Sequence, residues 1–317
     1  MKISARVVAC TRWEDSKVRT TLECVYPKFL QAELNTHGLL SRSAMSSRAV
    51  PLARVLEQVE NDPYVPRRFG INSKGMQPAE YAEEGTPDYI RAKSGWLRAR
   101  DAAVTAVRDL VGGVDVHKQH VNRLLEPFMW TIGVVTAEEW ENFFALRLPL
   151  MPYETRVDSG YIGAMTDMSD LALEMYRALT GAAPSIQPFH VPYVDLAAEL
   201  TAAVRVPSTL LGVSAMRCAR VSFRPYVAGT TSYEEDAAKS RELVENGHWG
   251  PFQHPAIALG RCTSSGPNGR ELPSGADWFW QRAREFGRIS GTHMDNFARL
   301  RALQPHANLN NLHTQGK

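Results

Sequence analysis

The stretch THGLLSRSAMSSRAVP, residues 36–51, constrains the fold most, because the hydrophobic pattern of the chain changes across it. The run before it, TLECVYPKFLQAEL, has the Val, Tyr, Phe and Leu content of a strand. The run after it, VPLARVLEQVE, places its apolar residues at helical spacing, with Pro51 acceptable in a first turn. The sequence therefore predicts a strand that leads into a helix through a serine-rich junction.

Hydroxyl and guanidinium groups are concentrated at this junction. Because the first N–H groups of a helix are unpaired and face outward with its dipole, such groups favour an anion, especially a phosphate. An ordinary N-cap in a serine-rich loop explains the same residues, so both interpretations stay open. The residues concerned are Ser41, Arg42, Ser43, Ser46, Ser47 and Arg48.

The size and composition of the chain are ordinary for a globular protein with a sizeable core, at 317 residues, 44% hydrophobic and 22% charged. A net charge of +2 predicts no stable nucleic-acid binding. The apolar runs are too short for a transmembrane span and the N-terminus lacks a signal-peptide pattern, so we expect a cytoplasmic protein without membrane contact. The four cysteines are scattered without zinc spacing, which predicts reduced thiols and no metal site.

Periodicity and turn residues predict the order of the elements. A hairpin of strands at residues 2–9 and 20–30 precedes the junction. One helix is expected to end at Gly112 and Gly113, and another to begin with Thr136 as its N-cap. Residues 214–223 are expected to begin helical and end extended. The predicted helices are 50–60, 87–111, 116–126, 136–147, 169–179 and 233–247.

The stretch at 36–51 also resembles the signature RHRxxSxNExSxRY of the flavin-dependent thymidylate synthases. His37, Ser41, Ser46 and Arg48 match that pattern. The resemblance implies that His37, Ser41 and Ser43 contact the flavin, and that Ser46 and Arg48 bind the substrate and take part in catalysis. The departures are Thr36, Gly38, Ser43, Ala44 and Ala49, which stand where the family has Arg, Arg, Asn, Glu and Tyr.

A second likeness covers HKQHVNRLLEPFMW, residues 117–130, and TAEEWENFFALR, residues 136–147. These strings resemble a family segment with an Arg before a Leu-Pro, followed by an Asn-rich helix that ends in Arg. The likeness implies that Arg123 and Arg147 hold the nucleotide and that Asn142 faces the flavin. Arg147 would also act in catalysis, by stabilising charge that develops on a pyrimidine carbonyl.

Both arginines also have an ordinary structural explanation. Arg123 could be a surface residue paired with Glu126, and Arg147 could cap the C-terminus of its helix. Glu138 stands where the family often has Arg, a departure that bears on the phosphate contacts of the flavin.

The most specific likeness lies in RCARVSF, residues 217–223, and GHWGPFQHPA, residues 247–256, since two unusual strings recur in order at a suitable distance. They resemble the ARVSF and HSPFEH elements that line the flavin site of the family. Ser222 and His254 are thereby implied to contact the flavin, with Gln253 in place of the usual Glu. For His254 the alternative is a turn histidine that is hydrogen-bonded to the backbone.

The order of the segments differs from the usual family order, in which the ARVSF and PFEH elements precede the signature. The chain therefore resembles a circularly permuted member, an arrangement associated with phage-encoded relatives. GTHMDNFARLRALQP, near the C-terminus, then resembles the strand that follows PFQH, with Arg299 and Arg301 as further site candidates.

The fold implied by the resemblance is α+β, with a mixed or antiparallel sheet and packed helices in a single domain over residues 1–317. Its parts would be a signature strand and helix at 1–60, a helical nucleotide-binding part at 85–180 and a flavin-binding part at 210–305. The likeness covers roughly two thirds of the chain.

The activity implied is FAD-dependent transfer of a one-carbon unit from methylenetetrahydrofolate to carbon 5 of a pyrimidine deoxynucleoside monophosphate. In the parent reaction dUMP becomes dTMP and NADPH is the reductant. A homo-oligomer is also implied, typically a tetramer whose active sites draw residues from several chains. The departures in the signature leave two alternatives, a pyrimidine 5-hydroxymethylase acting on dCMP or dUMP and a paralogue that binds a nucleotide without catalysis.

Overall fold

A long hairpin begins the main sheet, as the sequence predicts. Strands β1 (Ser4–Arg12) and β2 (Arg19–Pro27) pair antiparallel. The sheet continues through β6 (Trp130–Ala137), which pairs antiparallel with β2 and with β3 (Ser41–Ala44). Strand β7 (Ser185–Ile186) pairs parallel with β1, which gives a mixed sheet in the order β3-β6-β2-β1-β7.

The structure is a computed structural model that describes residues 1–13, 17–75, 78–148, 164–200, 207–221, 230–246, 248, 250–258 and 297–299. Its helices are α1 (Leu30–Thr36), α2 (Leu52–Asn61), α3 (Pro87–Val114), α4 (Lys118–Leu124), α5 (Glu141–Ala145), α6 (Thr166–Thr180), α7 (Leu196–Leu200), α8 (Pro207–Arg220) and α9 (Tyr233–Glu245). Short 3-10 helices lie at Glu126–Phe128 and Gly250–Gln253.

Two small antiparallel sheets complete the strands of the described chain. One contains β8 (Phe189–His190), β9 (Ala256–Ala258) and β10 (Phe297–Arg299), and the other contains β4 (Phe69–Gly70) and β5 (Tyr81–Ala82). The fold is therefore α+β with a mixed sheet and packed helices, as predicted. None of the described helices has the length and apolar content needed to cross a bilayer.

One face of the main sheet is apolar and packs against α6. Leu22, Cys24 and Tyr26 alternate along β2, so their side chains share this face. Leu171 and Met175 of α6 pack with them and are fully buried. Burial of each such side chain stabilises the fold by about 1.5–3 kcal/mol, so this face is a main source of stability.

The opposite face of the sheet is covered in part by α8. Ile132 and Val134 of β6 form an apolar cluster there with Cys218 and Val221. Polar side chains occupy the rest of this face, and they form the site described in the next subsection.

Arg217 anchors α8 to its neighbouring helices. Its side chain is only 4% exposed, and it donates to both carboxylate oxygens of Glu199 at 2.6 and 2.9 Å and to Asp236 at 3.0 Å. Because a buried guanidinium needs such partners, Arg217 ties α8 to α7 and α9. The extended segment predicted after this helix, up to residue 223, lies mostly outside the described residues.

The junction at residues 36–51 is built differently from the prediction. FLQAEL does not continue a strand, since α1 begins at Leu30, and the strand is β3 itself, with Ser41 and Ser43 inside it. Helix α2 begins after Pro51, which provides no side-chain cap. The N-cap interpretation of the serines is therefore wrong, and Ser41 and Ser43 are strand residues instead of groups at a helix N-terminus. The physical reason is that the free edge of β6 pairs with residues 41–44.

Two further predictions are corrected by the structure. Thr136 lies within β6 and is not an N-cap, and the helix predicted at 136–147 covers only Glu141–Ala145, because the β-branched residues before it favour a strand. Helix α3 continues through Gly112 and Gly113, and Asp115 follows it with a φ of 54°, a left-handed conformation that Asp tolerates. The predicted helices at 50–60, 116–126, 169–179 and 233–247 are confirmed within a few residues of their ends.

Candidate active site

The signature strand contacts the PFQH turn directly. His254 Nε2 lies 2.8 Å from Ser43 Oγ, and the side-chain amide of Gln253 donates to Ser43 Oγ at 3.1 Å. That amide also donates to the backbone carbonyl of Arg42. Two segments about 210 residues apart in sequence are thus neighbours, and His254 uses its ring as well as its backbone.

A buried ion pair holds the PFQH turn against the sheet. Arg19 of β2 is fully buried and pairs with Glu138, Nη1 to Oε1, at 2.7 Å. Its other terminal nitrogen donates to the carbonyl oxygens of Gln253 at 3.2 Å and His254 at 3.4 Å. Glu138, which stands where the related family often has Arg, therefore serves here as the counter-ion of Arg19.

A row of hydroxyl and imidazole groups continues behind His254 across the sheet. His254 Nδ1 lies 2.9 Å from Thr136 Oγ1, which lies 2.7 Å from Thr21 Oγ1. Thr21 Oγ1 lies 2.7 Å from His190 Nε2, and His190 Nδ1 lies 2.7 Å from Thr11 Oγ1. These five side chains are at most 1% exposed. Burial, followed by the nearby charge of Arg19 and by His254, holds the pKa of His190 well below its ordinary value of 6.5.

Strand register explains why these groups share one face. Thr136 pairs with Thr21 on one side and with Ser41 on the other, and directly paired residues project to the same face. Sequence reasoning missed Thr11, Thr21 and His190 as site residues and assigned Thr136 a different place. The sequence pattern that could have predicted this polar face is the alternation in RTTLECV, which puts Arg19, Thr21 and Glu23 on one face of an otherwise apolar strand.

A second cluster of predicted site residues lies on the other face of the sheet. His37 and Arg147 are 7% and 6% exposed, and both pack on Phe143. The Arg147 guanidinium carbon is 4.4 Å from the centroid of that ring, and the His37 ring centroid is 5.3 Å from it, edge-on. Arg42 donates to the His37 carbonyl, so two guanidinium groups and an imidazole share this pocket.

The electrostatics of this second cluster favour an anion. Burial, and then the positive charges of Arg147 and Arg42, lower the pKa of His37. Burial lowers the pKa of Arg147 as well, and the nearby carboxylate of Glu33 opposes that effect. His37 Nε2 and Arg147 Nε are buried without a hydrogen-bond partner among the described residues. A phosphate supplies the charge and the acceptor oxygens that these donors lack, so the residues present fit a phosphorylated ligand.

A third group lies on the turn that follows β3. Ser46 and Arg48 are exposed there, and the side-chain amide of Asn122 holds the turn by donating to the carbonyls of Ser47 at 2.7 Å and Val50 at 3.0 Å. Arg123, next to Asn122, is also exposed. Its alternative pairing with Glu126 is not observed, and Glu126 accepts a hydrogen bond from Ser47 instead.

The structure therefore divides the predicted site residues into separate groups. Ser43 and His254 meet on one face of the sheet, with Ser41 buried on the same strand, and His37 and Arg147 meet on the other face. This division follows because successive strand residues, Arg42 and Ser43, point to opposite faces. Asn142 is exposed on α5. The remaining exposed residues are Ser46, Arg48 and Arg123.

Some predicted site residues lie outside the described residues or at their limit. Ser222 and Arg301 are outside, and of Arg299 only the backbone is described. The segment Phe297–Arg299 forms β10, which pairs antiparallel with β9, the strand after the PFQH turn. The expected extended segment beside that turn is thus present. Within the described part of the chain no group of three or more potential metal ligands occurs.

Comparisons with known proteins give matches among solved structures alone. No family model matches the chain, and no curated protein matches it. The UMP/dUMP methylase PolB from Streptomyces cacaoi bound with 5-Br UMP is 15% identical, with a TM-score of 0.43, over 56% of this chain and 89% of that chain. The flavin dependent thymidylate synthase ThyX from Helicobacter pylori, complexed with FAD and dUMP, is 17% identical, with a TM-score of 0.30, over 51% and 67% of the two chains.

The chain is similar to the flavin-dependent thymidylate synthases in its motifs, and solved structures of such an enzyme are among those it matches.

Proposed function

We propose that this protein is a flavin-dependent enzyme that transfers a one-carbon unit to carbon 5 of a pyrimidine nucleotide. The observation that carries the proposal is the 2.8 Å contact between His254 and Ser43. The signature stretch and the PFQH turn were each identified separately as resembling parts of a flavin site. Their direct contact across the fold is what a shared site requires, and neither string alone predicts it.

The second support is the cationic cluster of His37, Arg42 and Arg147, in which His37 and Arg147 are buried and Arg42 is half-buried. A nucleoside monophosphate carries close to two negative charges at neutral pH, and FAD carries a pyrophosphate. Guanidinium groups bind such oxygens by charge-assisted hydrogen bonds that gain strength when they are shielded from water. We assign this pocket to a phosphate of the substrate or of the cofactor.

FAD supplies reducing equivalents to the one-carbon unit when it is bound in a reaction of this kind. The residues of this chain that would hold it are Ser43 and His254 on one face of the sheet, with Ser41 behind them. Methylenetetrahydrofolate is the proposed one-carbon donor, and NADPH the proposed reductant. Arg147 is the proposed electrostatic stabiliser of charge that develops on the pyrimidine or its phosphate.

The exposed turn suggests how the site is completed. Ser46 and Arg48 are exposed on a turn that Asn122 fixes, and Arg123 is exposed on α4 next to Asn122. We propose that they face the substrate at a contact between subunits of a homotetramer, since their exposure leaves them accessible to a neighbouring chain. Asn142, also exposed, would contact the flavin from the same direction.

The test begins with the visible absorption spectrum of the purified protein, before and after addition of FAD. The proposal predicts a bound-flavin spectrum that is lost in a Ser43→Ala, His254→Leu double variant and retained in His120→Gln, which changes an exposed histidine on α4. Protein that shows no flavin spectrum and no affinity for FAD contradicts the proposal and favours a nucleotide-binding protein without redox chemistry.

A second measurement identifies the reaction. The protein is incubated with methylenetetrahydrofolate, NADPH and one of dUMP, UMP or dCMP, and the product mass is determined. A methyl product from dUMP or UMP agrees with the parent reaction. A hydroxymethyl product, especially from dCMP, identifies a 5-hydroxymethylase. The absence of product from all three nucleotides with flavin bound contradicts the proposed reaction.

A further inference from the structure

Six side chains form one continuous hydrogen-bonded row across the main sheet, from β1 to β3. The contacts within the row are 2.7 to 2.9 Å long. Two imidazoles alternate with hydroxyl groups, so every contact joins atoms that can donate or accept. We call this set the hydroxyl–histidine row, and its members in spatial order are Thr11, His190, Thr21, Thr136, His254 and Ser43.

The number of hydrogens restricts how the row can be arranged. Thr21 and Thr136 each have two partners in the row but one hydroxyl hydrogen, so each donates once and accepts once. A neutral imidazole likewise has one donor nitrogen and one acceptor nitrogen. The lowered pKa of His190 keeps that ring neutral. With both rings neutral, the direction of one hydrogen bond fixes the direction of all the others.

Only two arrangements satisfy the interior of the row, and in both the two histidines have the same tautomer. If Thr11 donates to His190 Nδ1, every bond runs towards Ser43 and both rings carry hydrogen on Nε2. If Ser43 donates to His254 Nε2, every bond runs the other way and both rings carry hydrogen on Nδ1. If the two rings have different tautomers, the row contains a defect between Thr21 and Thr136. Either both hydroxyls donate to the rings, which leaves two oxygens 2.7 Å apart without a hydrogen between them, or both accept from the rings, which leaves one buried hydroxyl hydrogen without an acceptor in the row. Such a defect is unfavourable, because a buried polar group is then left without a hydrogen-bond partner.

The two ends of the row select between these arrangements. Thr11 is 1% exposed, and among the described residues the hydroxyl contacts His190 alone, so its hydrogen is satisfied if it is donated there. Ser43 is partly exposed and already accepts a hydrogen bond from Gln253. Its own hydrogen is therefore the one that can be directed to a partner outside the row.

We propose that His190 and His254 are both held as the Nε2–H tautomer, and that His190 is a positioning residue that fixes Ser43 as a hydrogen-bond donor towards the ligand. The ligand atom would be an acceptor, such as a ring nitrogen or carbonyl oxygen of a flavin. The role towards a ligand rests on the proposed function, whereas the shared tautomer is a property of this chain alone.

The test is a long-range proton–nitrogen correlation spectrum of the histidine rings in uniformly nitrogen-15-labelled full-length protein. The spectrum is recorded at a pH well above the ordinary imidazole pKa, so that the rings are neutral, and the two rings are assigned with His190→Gln and His254→Gln. The expected result is a single Nε2–H tautomer for each ring.

A matched pair of variants, Thr136→Val and Thr136→Ser, then breaks and restores the row. We expect a mixture of tautomers at His254 in the first variant and a single tautomer in the second, with no change in His120→Gln.

Unlike tautomers, or Nδ1–H at both rings, would overturn the proposal. So would a Thr136→Val variant in which His254 keeps a single tautomer. If Thr136→Val does not fold, the spectrum of the unaltered protein still decides between the arrangements. Shared Nε2–H tautomers in a protein that does not bind FAD would leave the row established and remove the proposed function, so the two failures are distinguishable.

Discussion

The two faces of the main sheet are built from the same strands but from opposite kinds of side chain. On one face Leu22, Cys24 and Tyr26 pack against α6 in an apolar core, and the cluster of His37 and Arg147 packs on Phe143 of the same core. On the other face Arg19 and Thr21, one residue away along the same strand, are fully buried among polar partners. The period of two in a strand is sufficient to separate them.

The two faces are therefore stabilised in different ways. The apolar face requires only complementary packing, and its contribution scales with buried area. The polar face requires every buried donor and acceptor to be matched, since an unmatched group costs about 1–3 kcal/mol. Substitutions on the two faces should therefore fail in different ways, and four experiments test this.

The largest effect is expected from removal of the carboxylate that pairs with Arg19. Glu138→Ala should lower the free energy of unfolding by about 3–5 kcal/mol, because Arg19 is fully buried and loses its counter-charge. The measurement is chemical denaturation. Glu139→Ala is the matched control, since Glu139 pairs with Lys17 in an exposed contact and should change stability little. Equal effects of the two variants would show that the polar face does not depend on this pair.

Loss of packing on the apolar face should lower the free energy of unfolding by a comparable amount, but through lost burial instead of an unpaired charge. Leu171→Ala removes a fully buried side chain of α6 and should cost about 2–5 kcal/mol of unfolding free energy, through lost burial and the cavity left behind. Under native conditions the proposed binding of flavin and nucleotide should be retained. A selective loss of ligand affinity with little loss of stability would contradict the division between the faces.

Arg147→Met should have the opposite effect to Leu171→Ala, with little loss of stability but a loss of ligand affinity. The side chain is buried without a hydrogen bond to a carboxylate among the described residues, so its removal should leave stability unchanged or raise it. Affinity for the phosphorylated ligand should fall about 10–100-fold, which corresponds to about 1.5–3 kcal/mol for a hydrogen bond to a charged group. Titration calorimetry with FAD and with dUMP would identify which ligand is affected. Arg98→Met, on the exposed side of α3, is the control and should change neither stability nor ligand affinity. If Arg147→Met leaves the affinity for both ligands unaltered, the cluster of His37, Arg42 and Arg147 is not an anion site.

The smallest effect is expected from the pH dependence of stability. The pKa of His190 is lowered in the folded protein from an ordinary value of 6.5, so at lower pH the unfolded state binds the additional proton. The free energy of unfolding should therefore fall as the pH drops below 6.5 towards the folded pKa, by up to about 1.4 kcal/mol per pH unit. His190→Gln should reduce this slope, and His120→Gln should leave it unchanged. A slope that is identical in all three proteins would mean that His190 does not contribute to it.

The arrangement of the predicted site residues differs from the one that the sequence suggests. His37, Ser43, Arg147 and His254 all take part in the buried clusters. The serines were expected at a helix N-terminus, but Ser41 and Ser43 lie in an edge strand. That error arose because a short polar segment has no periodicity of its own, and its conformation depends on a neighbouring strand to which it can pair.

Local patterns determined the hairpin and most helices, because alternation of apolar residues and helical spacing are properties of neighbouring positions. The α+β class was implied by the resemblance of the motifs. The tertiary structure alone decided that Ser43 meets His254, that Glu138 neutralises Arg19, and that Thr136 and His190 belong to one row. These contacts join residues more than a hundred positions apart. They depend on strand order and register, which no local pattern encodes, since a shift of one residue would move each of these side chains to the opposite face.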